Sequence, residues 1–162
     1  QWSATYGGIG ADSAYDILPV GDGAFLMCGA YTTMTVTGTD MVLVKLDNKG
    51  AVSWGVTFGG VKREEGRALV KASDGNYLLL GQTYSYGAGD SDFWLVKADA
   101  AGDTFWSHPF GGAAADIPTA LAVSDDGYVT LAGTTQSFGA GGDDGYLLHV
   151  NADGYGPSDP AE

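Results

Sequence analysis

One phrase occurs three times in this chain at a constant spacing. It reads WSATYGG at 2–8, WGVTFGG at 54–60 and WSHPFGG at 106–112, so successive tryptophans are 52 residues apart both times. A shift by that period aligns the three copies without a gap. A fixed period of this length indicates a chain built from repeated supersecondary units rather than one irregular domain.

Each copy carries the same order of strand and turn signals. An apolar stretch leads into an Asp-Gly pair, which between two apolar alternations indicates a hairpin because its turn needs positive φ. A second strand, a longer loop closed by an aspartate, and a third strand then precede the next tryptophan strand. The Asp-Gly pairs are residues 22–23, 74–75 and 126–127, and the loop-closing aspartates are Asp40, Asp92 and Asp144. No window shows sustained apolar residues at helical spacing.

Four short antiparallel strands in a repeat of this length are typical of a β-propeller blade. We therefore predict an all-β fold of three propeller-type blades in a single domain over residues 1–154. A β-helix would need a shorter period, and a sandwich would not copy itself. The predicted units are blades 2–53, 54–105 and 106–154, followed by a Pro-containing acidic tail at 155–162.

The repeat also resembles a known family. The run D-x-x-L-V-K-x-D-x-x-G-x-x-x-W-x-x-x-[FY]-G-G, followed by D-G-x-x-x-L-x-G-x-T-x-S, resembles the bacterial and archaeal β-propeller repeats known as SBBP-type. LDNKGAVSW (46–54) and ADAAGDTFW (98–106) are similar to the tryptophan-docking motif of quinoprotein-like propellers. The resemblance covers residues 2–154 and implies blades in a secreted or cell-surface protein. No residues match the cofactor or metal ligands of a quinoprotein enzyme.

The tryptophan phrase predicts a contact between blades. A tryptophan on the outer strand can lie across the next blade and bury roughly 150–250 Å², and the following glycines permit close backbone approach. The residues predicted to serve inter-blade docking and assembly are Trp2, Tyr6, Gly7, Gly8, Trp54, Phe58, Trp106, Phe110, Leu147 and His149.

Charge and cysteine content narrow the range of partners. The formal net charge is −13, and residues 106–162 contain eight acids and no Lys or Arg. Such a surface repels phosphate backbones and anionic lipid, which argues against nucleic acid and membrane partners. No apolar run is long enough to insert into a bilayer. Cys28 aligns with Leu80 and Ala132, so we expect a small buried core residue.

Candidate catalytic and metal-binding residues are few. His108 and His149 lie in the third repeat without a matching Ser or Cys nucleophile, so we predict no enzymatic activity. The loops GAGDSD (87–92) and GAGGDD (139–144) offer oxygen ligands for Ca²⁺ but lack the alternating spacing of an EF-hand. We predict no cofactor, with Ca²⁺ as the alternative.

The same loops suggest a carbohydrate site as a second hypothesis. Aromatic rings beside carboxylates can stack on a sugar and hydrogen-bond it. The candidate ligand-binding residues are Tyr84, Tyr86, Asp90, Phe138 and Asp143. In the first repeat this loop is threonine-rich (31–39), which suits a strand-like segment or O-glycosylation.

The chain ends complete the prediction. Gln1 in place of an initiator Met fits either a cleaved leader, and so an extracellular or cell-surface location, or a recombinant fragment. The strand at 2–8 has no blade of its own, and Ser158 with Pro157 and Pro160 stands where the last blade needs its outer strand. We expect the N-terminal strand to be donated to a neighbour, giving a six-bladed homodimer or a filament. The leading prediction is a self-assembling structural protein, and the alternative is a carbohydrate-binding propeller.

Overall fold

The computed structural model describes residues 1–32 and 38–156. This part of the chain forms eleven β-strands and no helix. The strands are β1 (Ser13–Gly21), β2 (Ala24–Thr32), β3 (Thr39–Leu46), β4 (Val52–Phe58), β5 (Glu64–Lys71), β6 (Tyr77–Thr83), β7 (Asp92–Ala98), β8 (Thr104–Phe110), β9 (Asp116–Val123), β10 (Val129–Thr135) and β11 (Asp144–Val150). Part of the threonine-rich loop, 33–37, and the tail from 157 onward lie outside the described residues.

The strands form three antiparallel sheets in which each strand pairs with its neighbours along the chain. Sheet 1 contains β1 to β4, sheet 2 contains β5 to β8, and sheet 3 contains β9 to β11. The prediction of an all-β, antiparallel chain is confirmed. Residues 2–8, predicted as a strand, are not one, because they pair with no strand of the described chain.

The predicted Asp-Gly turns lie between the first two strands of each sheet. Asp22 has a φ of 53° and Gly23 a φ of 73°, as a two-residue hairpin turn requires. In the corresponding turns of sheets 2 and 3, only Gly75 and Gly127 have positive φ. These turns are one residue longer, because the Ala72 N–H donates to the carbonyl of Asn76 and the Ser124 N–H donates to that of Tyr128. The turn positions therefore agree with the sequence prediction.

The three sheets pack in series, and the middle sheet is buried on both sides. Side chains alternate along a strand, so consecutive residues of β6 and β7 enter different cores. We call the side of each sheet that faces the preceding sheet face A, and the opposite side face B. Between sheets 1 and 2, the core includes Leu26, Cys28, Met41 and Leu43 against Leu69, Leu79, Trp94 and Val96. Between sheets 2 and 3, it includes Leu78, Leu80, Phe93 and Leu95 against Val129, Leu131 and Val150.

Cys28 occupies the first of these cores and is fully buried. Burial is the largest cause that raises the pKa of its thiol to about 12, and the negative charge of Asp16 adds to the effect. The predicted role as a small core residue is confirmed. At ordinary pH the reactive thiolate is suppressed.

A tryptophan and a glycine turn connect each sheet to the next. Trp54 on β4 contacts the turn between β7 and β8, where a Cβ on Gly102 would lie 3.1 Å from the Trp54 ring and 2.9 Å from Val56. Trp106 on β8 contacts Gly154 in the same way, at 3.1 Å. The φ of Gly102 is 91°, in the region that L side chains avoid. This turn therefore needs glycine both for its backbone and for the ring.

Two matched substitutions separate these requirements. Gly75 has a φ of 90° but no atom within 4 Å of its added Cβ. Gly75→Ala is expected to lower the free energy of unfolding by about 1–2 kcal/mol through backbone strain alone. Gly102→Ala should lose about 1–3 kcal/mol more, because the methyl group displaces the Trp54 ring and Val56 of the preceding sheet. Urea unfolding measures both, and equal losses would contradict the ring contact.

Candidate assembly interface

Residues 2–8 lie against sheet 1 in the position that a preceding sheet's last strand would occupy. The Trp2 Nε1–H donates to the carbonyl of Asn48 at 3.2 Å, and the Tyr6 hydroxyl donates to the carbonyl of Gly50 at 2.7 Å. A Cβ on Gly50 would lie 2.6 Å from the Trp2 ring. Gly50 is equivalent to Gly102 and Gly154, so Trp2 makes the contact that joins consecutive sheets elsewhere. Without a sheet beside it, Trp2 remains 46% exposed.

Face A of sheet 1 is open and forms an apolar groove. In sheet 2 the equivalent face carries Leu79, Trp94 and Val96. Sheet 1 has the unbranched Met27 in place of Leu79, the smaller Val42 in place of Trp94, and the same residue, Val44, in place of Val96. These three residues line a groove of about 660 Å³ between the sheet and residues 4–7. Tyr6, Asp12, Ser13, Tyr31 and Thr57 add polar groups to the lining.

The opposite end of the molecule presents the free edge of β11. This strand pairs with β10 and with no other strand of the described chain. Leu147 on it is 73% exposed. The His149 ring stacks on Tyr128 with centroids 4.9 Å apart, and its Nδ1 lies 2.9 Å from the hydroxyl of Thr130.

Face B of sheet 3 is less apolar than the inner faces. From face B of sheet 2, Phe93 lies against Gly133 of sheet 3, where an added Cβ would be 2.5 Å from the ring. From face B of sheet 1, Met41 lies against Gly81 of sheet 2, where an added Cβ would be 2.7 Å from the sulfur. The equivalent position in sheet 3 is Gly145, with no side chain to project. The two open faces of the molecule are therefore different surfaces.

The Gly-Gly connections hold carboxylates by a hydrogen bond that recurs in every repeat. The backbone N–H of Gly8 donates to Asp12 at 2.6 Å, and Gly112 donates to Asp116 at 2.7 Å. Glu64 receives the equivalent bond from Gly60 at 2.8 Å. These acids begin the first strand of each sheet or lie just before it.

The loop-closing aspartates form a second recurring set. Asp92 and Asp144 each accept a backbone N–H at 3.0 Å, from Ala88 and Ala140 respectively. This confirms the expected loop-closing role for these two residues. Part of the loop preceding Asp40 lies outside the described residues.

At each boundary between sheets, a carboxylate that follows a Gly-Gly motif lies beside a loop-closing aspartate of the preceding sheet. A Cβ on Gly59 would collide with Asp40 and lie 3.0 Å from Glu64 Oε2, and a Cβ on Gly111 would collide with Asp92 and lie 2.5 Å from Asp116 Oδ2. We call Asp40–Glu64 and Asp92–Asp116 the junction pairs. The first glycine of each Gly-Gly motif is thus required by the carboxylates around it.

The second junction pair is deeply buried and incompletely hydrogen-bonded. Asp92 is 1% exposed and Asp116 0%, and Oδ1 of each has no hydrogen-bond partner in the described chain. Burial raises the pKa of Asp92 and the negative charge of Asp116 raises it further. Burial and the charge of Glu64 raise the pKa of Asp40 likewise. The Asp92 and Asp40 carboxyls therefore take up a proton at a higher pH than they would in water.

The aromatic residues predicted to bind sugar are packed within their own repeats. The Tyr86 ring lies 5.0 Å from Trp94, and its hydroxyl donates to the carbonyl of Gly59 at 2.9 Å. Phe138, the equivalent residue, lies 5.4 Å from Tyr146. Both rings keep nearly half of their surface exposed.

The remaining predicted ligand residues are Tyr84, Asp90 and Asp143. Tyr84 accepts a hydrogen bond from Gln82 at 3.3 Å. Asp143 accepts one from Gln136 at 2.8 Å, and Asp90 is exposed. The structure thus assigns a packing role to the aromatic rings but does not test sugar binding.

Four of the predicted docking residues, Trp54, Phe58, Trp106 and Phe110, lie between the sheets. Phe58 belongs to the first core with Trp54 beside it, and Trp106 and Phe110 pack on the second. His108 packs between the rings of Trp106 and Tyr155, with centroid distances of 5.0 and 5.1 Å. These contacts agree with the predicted docking role but do not show what lies beyond β11.

The described residues offer no cluster of ligands for a metal. Within 1–32 and 38–156, no group of three or more His, Cys, Asp or Glu side chains is arranged to hold an ion. The same residues include no helix with the length and hydropathy of a membrane span. The absence of a cofactor and the alternative of Ca²⁺ both stay predictions.

Sequence reasoning missed the junction pairs and the apolar groove. The acids of each pair are 24 residues apart, at 40 and 64 or at 92 and 116, and only the packing of consecutive sheets brings them together. The available signal was the acid four residues after the second glycine of each Gly-Gly pair that follows a tryptophan segment.

The comparisons with known proteins give one distant similarity. No protein-family model matches this chain. The chain is 27% identical to the regulatory protein FlaEY of Caulobacter vibrioides over 139 aligned residues, which cover 73% of this chain and 15% of FlaEY. The chain therefore spans a small part of that relative's length.

Removing one charge of the buried junction pair should stabilise the fold at neutral pH. The raised pKa of Asp92 means that its stabilising contribution is present at acid pH and is lost as pH rises through the folded-state pKa. Asp92→Asn replaces the charge by an amide that can donate to Asp116. We expect a higher free energy of unfolding at about pH 7 and little change at about pH 4, measured by urea unfolding.

Asp144→Asn is the matched control for this prediction. Asp144 accepts the same loop hydrogen bond as Asp92 but has no junction partner in the described chain. Its replacement should change stability little at either pH. Equal stabilisation by both variants would show that the effect comes from net charge rather than from the junction pair.

Proposed function

We propose that this chain is a module of β-propeller-type blades that assembles with copies of itself by strand donation. Residues 2–8 of one copy become the fourth strand of sheet 3 in the next. One observation carries the proposal: Trp2 lies on the Gly50 turn as Trp54 lies on Gly102, yet its segment pairs with no strand in the described chain. The segment has the position of a last strand, and no other strand of its sheet belongs to the described residues.

Strand donation would satisfy two unfilled surfaces at once. The edge of β11 offers unpaired backbone groups, which natural sheets seldom leave exposed along a whole strand. An added strand supplies main-chain hydrogen bonds along that edge. The same contact places face B of sheet 3 of the receiving copy over the groove of the donating copy. That groove is lined by Met27, Val42 and Val44. Backbone pairing and apolar burial therefore act together.

The internal repeats define the expected pairing register. β3 pairs with β4 so that Leu43 is opposite Val56, and β7 pairs with β8 so that Leu95 is opposite His108. Continuing the same register from β11 places Leu147 opposite Ala4 of the neighbouring copy. Side chains directly opposite on antiparallel strands lie close enough to be joined by a disulfide.

The serial packing of the sheets supports a propeller arrangement for the assembly. Propellers commonly have about 4–8 blades, so three sheets are too few for a closed ring. Two copies would supply six sheets, and a rotation that fails to close would instead extend into a filament. We favour the six-bladed homodimer and the filament over an isolated three-sheet unit on this ground.

The same reasoning favours a binding role over catalysis. FlaEY is named as a regulatory protein, and regulation through protein contacts is compatible with an assembly module. The resemblance of the repeats to secreted propeller families supports an extracellular or cell-surface location. The net charge of −13 favours partners other than nucleic acid and anionic membranes.

Carbohydrate binding stays the alternative proposal. The exposed parts of the Tyr86 and Phe138 rings, 42% and 48%, are the feature that favours it. A glycan array probed with the assembled protein tests this alternative. An absence of hits would contradict it.

Disulfide trapping tests strand donation directly. A mixture of Ala4→Cys and Leu147→Cys proteins should form a covalent heterodimer under oxidising conditions, seen by non-reducing electrophoresis, because the proposed register places these positions opposite each other. Ser3→Cys with Leu147→Cys is the matched control, because Ser3 would face the opposite side of the sheet. Native Cys28 should not interfere, since burial raises its pKa to about 12.

The outcomes separate the possible assemblies. The double variant Ala4→Cys/Leu147→Cys should give a cyclic dimer if the ring closes and a ladder of multimers if it does not. Removal of Gln1–Gly8 should leave soluble monomers by light scattering. Assembly that survives the deletion, or equal crosslinking with Ser3→Cys, would contradict strand donation. A monomeric intact chain would instead favour further repeats of a longer chain as the source of the strand.

A further inference from the structure

The junction pairs point to a way in which assembly is controlled. We propose that a third junction pair forms between copies, from Asp144 of one chain and Asp12 of the next, and that a proton shared by this pair makes assembly stronger in acid. The inference rests on the strand donation proposed above. The partner is a second copy of this chain, and the surface is the corner where β11 meets residues 7–12.

Each half of the third pair is already formed in the single chain. Asp12 Oδ2 accepts the Gly8 N–H at 2.6 Å, as Asp116 accepts that of Gly112 at 2.7 Å. Asp144 Oδ2 accepts the Ala140 N–H at 3.0 Å. That bond has the same length as the one from Ala88 to Asp92 in the complete pair. Asp12 differs from Asp116 in that its Oδ1 also accepts the Thr32 N–H at 2.8 Å. Each carboxylate is therefore held in place by the backbone of its own chain.

The space around Gly7 shows where the missing half belongs. A Cβ on Gly59 or Gly111 would meet two carboxylates, one from each adjoining sheet. The three atoms nearest to a Cβ on Gly7 all belong to one carboxylate residue, Asp12. In β7 and β8, pairing of Phe93 with Phe110 brings Asp92 beside Gly111. The same register between copies brings Asp144 beside Gly7 of the neighbour.

Two carboxylates brought together out of water cannot both remain charged without cost. In the complete pair, Oδ1 of Asp92 and Oδ1 of Asp116 are buried acceptors without a donor. A proton on one carboxyl removes the repulsion and supplies a donor. The raised pKa of Asp92 agrees with this arrangement.

The titratable groups nearest the carboxylates offer no positive charge in place of the proton. The histidine of β11, His149, is five residues along the strand from Asp144 and stacks on Tyr128. Tyr146 on β11 is close enough to Asp116 for that charge, after burial, to raise the tyrosine pKa. At the proposed third pair the neighbours are Asp143, bonded to Gln136, and Tyr31, whose hydroxyl is 3.0 Å from the Cβ position of Gly8. Residues 106–162 contain no Lys or Arg.

The direction of the pH effect follows from proton linkage. The assembled state holds the shared proton more tightly than separate chains do, so association takes up protons. Assembly should strengthen as pH falls toward the carboxyl range and weaken as pH rises. One proton per interface limits the change in the association constant to about tenfold per pH unit.

Sedimentation velocity of the full chain between about pH 5 and pH 8, at constant ionic strength, tests the inference. The wild-type association constant should fall with rising pH. Asp144→Asn should remove this dependence and assemble at high pH as strongly as the wild type does in acid. Asp143→Asn is the matched control: it removes the same charge one residue away and should keep the wild-type slope.

Asp12→Asn changes the other half of the pair and should also remove the pH dependence, which covers the case in which Asp144→Asn folds poorly. The amide gives up one of the two backbone bonds that Asp12 accepts from Gly8 and Thr32, so the slope with pH, rather than the strength of assembly, is the quantity to compare. A wild-type slope in both Asp12→Asn and Asp144→Asn, or a flat response in Asp143→Asn, would overturn the proposal. Assembly of the wild type that does not change with pH would overturn it and leave strand donation intact. A wild-type monomer at every pH would contradict both.

Discussion

The contact of a tryptophan with the glycine turn of the next sheet is the constraint on which the structure depends. Trp54 on Gly102 and Trp106 on Gly154 set how far each sheet is displaced from the one before it. The ring and the turn must recur once per sheet, which explains physically why the chain repeats every 52 residues. Apolar faces alone would allow the sheets to slide, because hydrophobic contact has no preferred direction.

Serial packing makes the three sheets unequal. Sheet 2 is covered on both faces, and every residue of β6 and β7 is buried. Sheets 1 and 3 each have one face without a partner in the described chain, as the terminal units of a stacked repeat array do. The open face of sheet 1 keeps an apolar groove, whereas that of sheet 3 carries Thr130, Ala132 and Gly145. In the proposed assembly, the contact between such unlike surfaces would be heterologous, with the start of one copy against the end of the next.

The Gly-Gly motif shows how a short sequence meets two spatial demands. The first glycine leaves room for a pair of carboxylates, as Gly111 does for Asp92 and Asp116. The second leaves room for a serine and an aromatic ring, as Gly112 does for Ser137 and Phe138. The carboxylates satisfy backbone N–H groups where the chain crosses between sheets. The consequence is acidic groups at each boundary, a cost that a proton relieves.

The sequence by itself determined the features that depend on neighbouring residues: the repeat period, the strand order, the Asp-Gly turns and the burial of Cys28. Alternation and turn chemistry act over a few residues and are therefore visible in the chain. Only the tertiary structure decided that residues 2–8 lie against sheet 1 without forming a strand, because a strand requires a partner. It also decided that Asp92 lies beside Asp116. The groove on sheet 1 likewise depends on the tertiary structure, because Val42 is smaller than Trp94, its equivalent in sheet 2. These outcomes depend on contacts between distant parts of the chain, where residue spacing carries no information about distance.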